Sequence, residues 1–322
     1  MKALYPEIEP FNVLRLKVDE VHELYVEESG NPNGIPVIFL HGGPGFGCTA
    51  NDRRYFDPQR YRIVIWDQRG AGRSTPVGCV VNNTAQHLVA DIECIRQTLG
   101  IDQWLVFGGS WGTMLGLLYS QSHPQRVTGI ILRGTYLGRQ FDMGWYPFPK
   151  DGNGVNRFFP KEWEDFLAAI PESEHGDLAA AYYQRIQGED SAEKDRAARA
   201  FITWVSGVAT YLLPKDSENP GFDIDVVLEN GAASICSHYF HHRFFVDEGQ
   251  ILTDVQLLPS VPIKFIHGRG DMNCLLGAVW ELHKAIPQSE LIVAEATGHY
   301  IGEQGMIDAL IAATDQMADH LK

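Results

Sequence analysis

The sequence lacks the features that mark several large classes of protein. Its 322 residues include five cysteines, whose scattered positions show neither metal-ligand spacing nor the pattern of a disulfide framework. No apolar run is long enough to cross a bilayer. The first residues do not resemble a signal peptide, because Pro6, Pro10 and several charges interrupt them. We therefore expect a cytoplasmic protein without a metal or a cofactor.

Basic residues are scarce relative to acidic ones. The chain has 26 Lys and Arg against 41 Asp and Glu, which gives a formal net charge of -15. Nucleic acids and anionic membranes attract clustered positive charge, so neither is expected as a partner. The expected partner is instead a small-molecule or short peptide-like substrate.

Short apolar segments alternate with helix-like segments up to about residue 135 and again near the end of the chain. Such alternation predicts an α/β fold with a mostly parallel sheet and helices on both faces, built from residues 1–137 and 245–322. The predicted strands are 37–40, 63–66, 105–107, 130–132, 263–266 and 291–293, and the predicted helices include 85–99, 113–123 and 306–321.

Between residues 138 and 244 this alternation stops. The segment is rich in Trp, Phe and Tyr and contains helix-forming runs such as KEWEDFLAAI and DLAAAYYQRI. It follows one predicted strand and precedes another, which puts it over the carboxyl ends of the strands, where open α/β sheets bind ligands. We predict a helical cap over the site.

A glycine-flanked serine, Ser110, stands at a predicted strand-to-helix corner in VFGGSWGTMLG. The G-x-S-x-G pattern alone is weak evidence. Its context, however, is that of a nucleophile elbow, in which small neighbours such as Gly108 and Gly112 allow a strained turn. The alternative is a glycine-rich turn in which Ser110 caps the helix.

A serine nucleophile needs a histidine base and a carboxylate that orients the histidine. Asp271 follows one late strand in IKFIHGRGDMN, and His299 follows the next in LIVAEATGHYIGE. Taken singly, Asp271 could be a turn residue and His299 an ordinary loop histidine. In the order Ser, Asp, His at three strand ends they predict a catalytic triad, which Asp67 and Glu295 fit less well.

Two glycine-rich loops follow the early predicted strands. In VIFLHGGPGFG, the amide of Gly43 is expected to pair with that of Trp111 to stabilise an oxyanion, and the alternative is a plain tight turn. In WDQRGAGRS, Arg69 and Arg73 could bind an anionic substrate, but we favour a role in holding neighbouring loops together.

At the level of whole motifs, the sequence resembles the prolyl aminopeptidases, or proline iminopeptidases, which are α/β-hydrolases with a helical cap. The resemblance covers nearly the whole chain and rests on HGGPG, DQRGAGRS, VFGGSWGTMLGLLY, HPQRV, FFPKEWEDFL, HGRGDM and GHYIGE, among other motifs. It implies the same triad and oxyanion pair. It also implies a substrate with a free amino-terminal proline, whose charged nitrogen is held by acidic side chains of the cap.

The sequence departs from this family where the cap binds the amine. Val205 stands where the family has glutamate after its cap tryptophan, and Cys236 stands where the family motif Ile-Glu-Asn-His-Tyr-Phe has glutamate. Losing two charge-assisted contacts, each worth about 1.5–3 kcal/mol, predicts weak binding of a cationic terminus. The predicted pocket wall consists of Phe46, which replaces a family glycine, and Trp145, Tyr146, Trp204, Val205, Cys236, Tyr239 and Phe240.

The favoured function is hydrolysis of an amide or ester through an acyl-enzyme, with a substrate that lacks a free cationic amino terminus. A genuine prolyl aminopeptidase is the first alternative, in which another acid of the cap, such as Asp142 or Glu164, binds the amine. An acyltransferase or a non-catalytic binding protein on the same fold is the second. The aromatic residues of the cap could equally form its core.

Overall fold

A twisted sheet runs through the computed structural model, which describes residues 1–213 and 222–321. Its strands are β1 (Pro10–Lys17), β2 (Glu23–Gly30), β3 (Ile35–Leu40), β4 (Tyr61–Trp66), β5 (Trp104–Gly109), β6 (Val127–Arg133), β7 (Ile263–Gly268) and β8 (Glu290–Ala294). They are ordered β1-β2-β4-β3-β5-β6-β7-β8. β2 pairs antiparallel with β1 and β4, and the other neighbours are parallel. The predicted α/β fold with a mostly parallel sheet is confirmed.

The helices divide between the two faces of the sheet and a separate layer. They are α1 (Ala85–Thr98), α2 (Trp111–Ser122), α3 (Gln140–Trp145), α4 (Pro160–Leu167), α5 (Leu178–Ile186), α6 (Ser191–Ala209), α7 (Ile224–Glu229), α8 (Ala232–His241), α9 (Gln250–Thr253), α10 (Leu276–Ala285) and α11 (Gln304–His320). Helices α1, α2 and α10 cover one face, and α11 covers the other.

Successive side chains of a strand point to opposite faces of the sheet, which explains why the sheet has a core on each side. In β5, Val106 packs beneath α1 and α2, whereas Leu105 and Phe107 pack beneath α11. Because both faces are covered, the central strands are apolar at nearly every position. This is why short apolar runs were sufficient to predict β3 to β8.

Strands β1 and β2 were not predicted, because their sequences are too polar to suggest a sheet. β1 is largely exposed, and β2 contains the buried acids Glu27 and Glu28. Each of these acids is paired with an arginine, Glu27 with Arg53 and Glu28 with Arg62. Burial of a carboxylate is tolerated when an opposite charge and hydrogen bonds compensate for lost hydration.

The segment between β6 and β7 contains helices α3 to α9 and, among its described residues, no strand. Its aromatic side chains pack on one another: Phe166 stacks on Tyr182 with ring centroids 4.4 Å apart and also contacts Trp204. The helical character of this segment agrees with the predicted cap, while its limits at residues 138 and 244 stay a prediction. No helix in the described residues is both long and apolar enough to span a membrane.

Helix α2 begins so close to the sheet that only glycine fits at its second position. A Cβ on Gly112 would lie 2.1 Å from the carbonyl oxygen of Leu40, and a Cβ on Gly108 would lie 2.3 Å from the carbonyl oxygen of Gly112. Both distances are far inside van der Waals contact with backbone atoms, which cannot move without shifting β3 or α2. The expected need for small residues here has a specific steric cause.

Gly112→Ala is therefore predicted to lower the free energy of unfolding by about 1–3 kcal/mol, as measured by urea denaturation. The matched control is Gly207→Ala in α6, where an added Cβ would meet no atom within 4 Å. There alanine should be neutral or stabilising by up to about 1 kcal/mol. Equal effects of the two changes would contradict the steric explanation.

Candidate active site

Ser110 occupies the corner between β5 and α2 in a strained conformation. Its φ of 54° and ψ of -123° lie outside the regions that a serine ordinarily adopts. The turn is held on both sides, because Ser110 N donates to Arg133 O at 3.0 Å and Thr113 Oγ1 donates to Ser110 O at 2.6 Å. Ser110 is the N-cap residue of α2, but its side chain makes no capping hydrogen bond. The hydroxyl therefore remains available to the cavity above.

His299 and Asp271 form a buried hydrogen bond at the ends of β8 and β7. His299 Nδ1 donates to Asp271 Oδ2 at 2.7 Å, while Asp271 Oδ1 accepts from the amides of Asn273 at 3.0 Å and Cys274 at 2.8 Å. Burial by itself raises the pKa of Asp271. The opposing effects of the His299 charge and hydrogen bond, of His267 and of the Cys274 amide are larger, so the net pKa of Asp271 is lowered. The carboxylate is thus ionised, and the histidine keeps Nε2 free to act as a base.

The end of β6 supplies two residues that support this pair and that the sequence analysis did not single out. A Cβ on Gly134, whose φ is +58°, would lie 3.2 Å from His299 Nδ1 and 3.3 Å from Asp271 Oδ2. Buried Arg133 donates from Nη1 to His299 O at 2.8 Å. Their position at the carboxyl end of β6, at the same sheet edge as the triad residues, was the available signal.

Three loops meet beside Ser110 through the side chain of Gln68. Gln68 Nε2 donates to His41 O at 3.0 Å, Gln68 Oε1 accepts from Trp111 Nε1 at 2.9 Å, and His41 Nε2 accepts from Gln68 N at 3.0 Å. Burial lowers the pKa of His41, so its ring is neutral and able to accept. Gly43 and Trp111 both border the cavity with Ser110, which is consistent with an oxyanion role for their amides.

The arginines of the second glycine-rich loop are engaged in ion pairs within the protein. Arg69 donates to both oxygens of Asp91 at 2.6 and 2.7 Å, and Arg73 Nε donates to Asp67 Oδ2 at 2.6 Å. The interpretation that these arginines hold loops together is confirmed. Asp67 is committed to this pairing, and Glu295 pairs with a surface arginine, so neither acid competes with Asp271.

A cavity of about 320 Å³ opens above Ser110 and has two walls of different character. The first, which we call the aromatic half, is formed by side chains that contact one another next to Trp111. The second, the loop half, is formed by the oxyanion loop, the 3-10 helix Ala50–Tyr55, the loop after His299, and Phe222, whose ring contacts Phe46 and Tyr300. The aromatic half contains Trp111, Tyr136, Tyr146, Val205, Phe240 and Phe244, and the loop half contains Phe46, Thr49, Asp52, Phe222, Tyr300 and Ile301.

Comparisons with known proteins identify the family. A model of the alpha/beta hydrolase fold matches residues 35–305. A proline iminopeptidase of Xylella fastidiosa is 43% identical over 320 residues, covering 98% of this chain and 99% of the relative. One from Neisseria gonorrhoeae is 40% identical over 319 residues, covering 99% and 100%. The chain belongs to the proline iminopeptidase family of α/β-hydrolases.

Solved structures agree with this at the level of the fold. An esterase of Rhodococcus sp. ECU1013 superposes with a TM-score of 0.61 at 16% identity, covering 96% of this chain and 99% of that one. As a member of the proline iminopeptidase family with this fold, the chain is a serine hydrolase of the prolyl aminopeptidase type.

Half of the residues predicted to form the pocket wall line the cavity. Val205 and Phe240 come from the cap helices α6 and α8, and Tyr146 from the segment after α3. Tyr146 Oη donates to Val205 O at 3.1 Å, which fixes these two residues relative to each other. Phe46 lies in the other wall, where its ring packs against Phe222 at 5.0 Å.

The two predicted tryptophans, Trp145 and Trp204, are not among the residues that line the cavity. Trp145 Nε1 donates to Met272 O at 2.8 Å, so the ring fastens the cap to the core. Trp204 is buried in the aromatic core of the cap and donates to Pro147 O at 2.9 Å. Here the alternative was right: an aromatic residue of a cap helix serves its packing.

Cys236 and Tyr239, on α8, were also predicted to line the pocket and do not. The Cys236 thiol is buried and donates to Pro44 O at 2.7 Å, which ties α8 to the oxyanion loop. Tyr239 packs under Trp111 with ring centroids 4.8 Å apart and donates to Asn83 Oδ1 at 2.8 Å. Both positions face the core, because α8 turns them away from the cavity.

The two acids considered as replacements for the family's amine-binding glutamates lie elsewhere. Asp142 is buried against Arg139, which donates to it at 2.9 Å, and Glu164 is on the exposed side of α4. Neither borders the cavity. Among the described lining residues the carboxylates are Asp52 in the loop half and Asp223 at the start of α7.

Cys274 is a neighbour of the triad that the sequence analysis did not single out. Cys274, Asp271 and His299 each offer one donor atom within 4.8 Å of the others, the one such group among the described residues. Burial raises the pKa of Cys274 well above its usual value, so the thiol keeps its proton. Metal ligation requires a thiolate, and the His299 and Asp271 atoms are already joined. The absence of a metal stays a prediction.

Gln68→Met is predicted to lower kcat about ten- to a hundredfold with little change in KM. The side chain contributes no group to the substrate, but its loss frees the two loops whose amides are expected to stabilise the oxyanion, which forms only in the transition state. Steady-state kinetics measure this. Gln121→Met is the matched control, because Gln121 is also buried and donates to a backbone carbonyl, that of Ile251. Equal losses in both variants would indicate general destabilisation.

Proposed function

We propose that this hydrolase cleaves an amide or ester bond whose acyl group carries no free cationic amino terminus. The observation that supports this most is the composition of the aromatic half, which offers rings and Val205 but no carboxylate among its described residues. An ammonium group placed there would lose its hydration without gaining a charged partner, which is strongly unfavourable.

The proposed chemistry uses the strand-end residues in the order of the reaction. Ser110 Oγ attacks the carbonyl carbon while His299 Nε2 accepts its proton, and Asp271 stabilises the charged ring. The amides of Gly43 and Trp111 stabilise the tetrahedral oxyanion. His299 then gives the proton to the leaving amine or alcohol, and water hydrolyses the acyl-enzyme by the same steps.

The assignment of the two walls follows from these roles. The aromatic half adjoins Trp111, whose amide is proposed to bind the carbonyl oxygen, so this wall is proposed as the acyl pocket. The loop half contains the residues after His299, which protonates the leaving group, so this wall is proposed to contact the leaving group. Tyr136, Phe240 and Phe244 pack together around the acyl side, which supports a compact apolar acyl group.

Release of amino-terminal proline from peptides is the second candidate. It is supported by the named proline iminopeptidases that are 40–43% identical over nearly the whole chain. It requires the imino nitrogen to be held without the cap glutamates. A kinetic panel of free prolyl arylamide, N-acetylprolyl arylamide and short-chain esters separates the two candidates.

We predict that Val205→Glu raises kcat/KM for free prolyl arylamide about ten- to a hundredfold, the worth of one charge-assisted contact. The N-acetylated substrate should gain nothing and lose some activity, because an unpaired carboxylate in the aromatic half is costly. Val205→Gln is the matched control, with the same length and no charge. Efficient wild-type cleavage of the free amine, with equal responses to Glu and Gln, would favour the second candidate.

A further inference from the structure

Asp52 is a carboxylate in the cavity wall that neither the triad nor the family motifs use. It lies in the 3-10 helix Ala50–Tyr55 and borders the same cavity as Ser110. Its Oδ2 accepts from Thr49 N at 2.6 Å and from Thr49 Oγ1 at 3.2 Å, which closes a capping box at the start of that helix. Capping therefore accounts for one carboxylate oxygen. Oδ1 receives no hydrogen bond from any residue in the described ranges.

The charge of Asp52 is also uncompensated by a direct partner. No lysine or arginine of the described chain forms an ion pair with it. The positive charge of Arg133 lowers the pKa of Asp52 without direct contact, and Arg133 Nη1 donates its hydrogen bond to His299 O. Burial raises the pKa of Asp52 to about 6, so it is ionised at neutral pH. A partly buried carboxylate that borders a cavity and has one oxygen without a hydrogen bond gains most from a cation supplied by a ligand.

The position of Asp52 indicates which part of the substrate it meets. Tyr55, at the end of the same 3-10 helix, donates to Ile301 O at 3.1 Å and so joins that helix to the loop after His299. Tyr300 and Ile301 border the cavity on the same side. In the proposed reaction His299 protonates the leaving group, so these neighbours of His299 are the residues that the leaving group is expected to contact.

We propose that Asp52 binds a positively charged group, an ammonium or guanidinium, carried by the leaving portion of the substrate. This rests on the proposed function, and it specifies the substrate further as an uncharged acyl group joined to a cationic amine or alcohol. Asp223, the other carboxylate of the described lining, is exposed and caps α7 with its side chain. Because Asp223 is exposed, water screens its charge, and an ion pair with a bound cation would contribute little to affinity.

The test compares substrates that differ only in the charge of the leaving portion. N-acetylprolyl-arginine amide and N-acetylprolyl-citrulline amide have the same shape, and arginine alone is charged. We expect wild-type kcat/KM to favour arginine about ten- to a hundredfold. Asp52→Asn should abolish that preference by slowing arginine cleavage far more than citrulline cleavage, because the charge is lost while an asparagine oxygen still accepts from Thr49 and keeps the capping box.

The matched control is a second aspartate that caps a helix. Asp190→Asn removes the same charge from a helix N-cap outside the cavity and should keep the preference. A wild type indifferent to the charge, a preference lost in Asp223→Asn instead, or an Asp52→Asn variant that slows both substrates equally would overturn the proposal.

A binding measurement separates this proposal from the proposed function. Calorimetric titration of Ser110→Ala with argininamide and citrullinamide needs no turnover. Tighter binding of argininamide that disappears on adding Asp52→Asn supports the cation site even if neither dipeptide is cleaved, in which case the acyl assignment has failed. Equal affinities for the two amides overturn the cation site whatever the enzyme hydrolyses.

Discussion

The hydrogen bond from His299 Nδ1 to Asp271 Oδ2 can form only if the surrounding structure satisfies the buried carboxylate, fixes the separation of the two residues and leaves room for the ring. An ionised carboxylate away from water costs several kcal/mol unless its oxygens are satisfied, and here the imidazole takes one oxygen and the amides of Asn273 and Cys274 take the other. The two partners come from consecutive parallel strands, so the sheet edge fixes their separation. Gly134 leaves the ring room to lie there.

The cavity above this pair joins two surfaces with different chemistry. Cap helices α6 and α8 bring Val205 and Phe240 to one wall, while core loops bring Asp52 and Thr49 to the other. The first wall offers rings and Val205, with no carboxylate among its described residues. The second holds a carboxylate without a direct cationic partner in the described chain. The two proposals together describe a substrate that is apolar at the acyl end and charged at the leaving end.

The sequence predicted the features that depend on local pattern and chain order. Apolar runs indicated the inner strands because both sheet faces are covered. The order of Ser110, Asp271 and His299 at strand ends predicted residues of which the structure joins His299 to Asp271 and places His299 in the wall of the same cavity as Ser110. What depends on spatial neighbours was missed, as with Arg133 and Gln68. The sequence also did not indicate which face of α6 points to the cavity. Trp204 and Val205 are adjacent in α6, yet Trp204 is in the cap core and Val205 is in the cavity wall.

The central claim is that Ser110 carries the acyl group during turnover. Rapid acid quench of a reaction with an activated N-acetylproline ester, followed by peptide mass spectrometry, tests it directly. We expect an acyl adduct on the peptide that contains Ser110, and we expect it to accumulate far more slowly in His299→Ala than in the wild type. An adduct on Cys274 instead, or rapid turnover without any covalent species in Ser110→Ala, would contradict it.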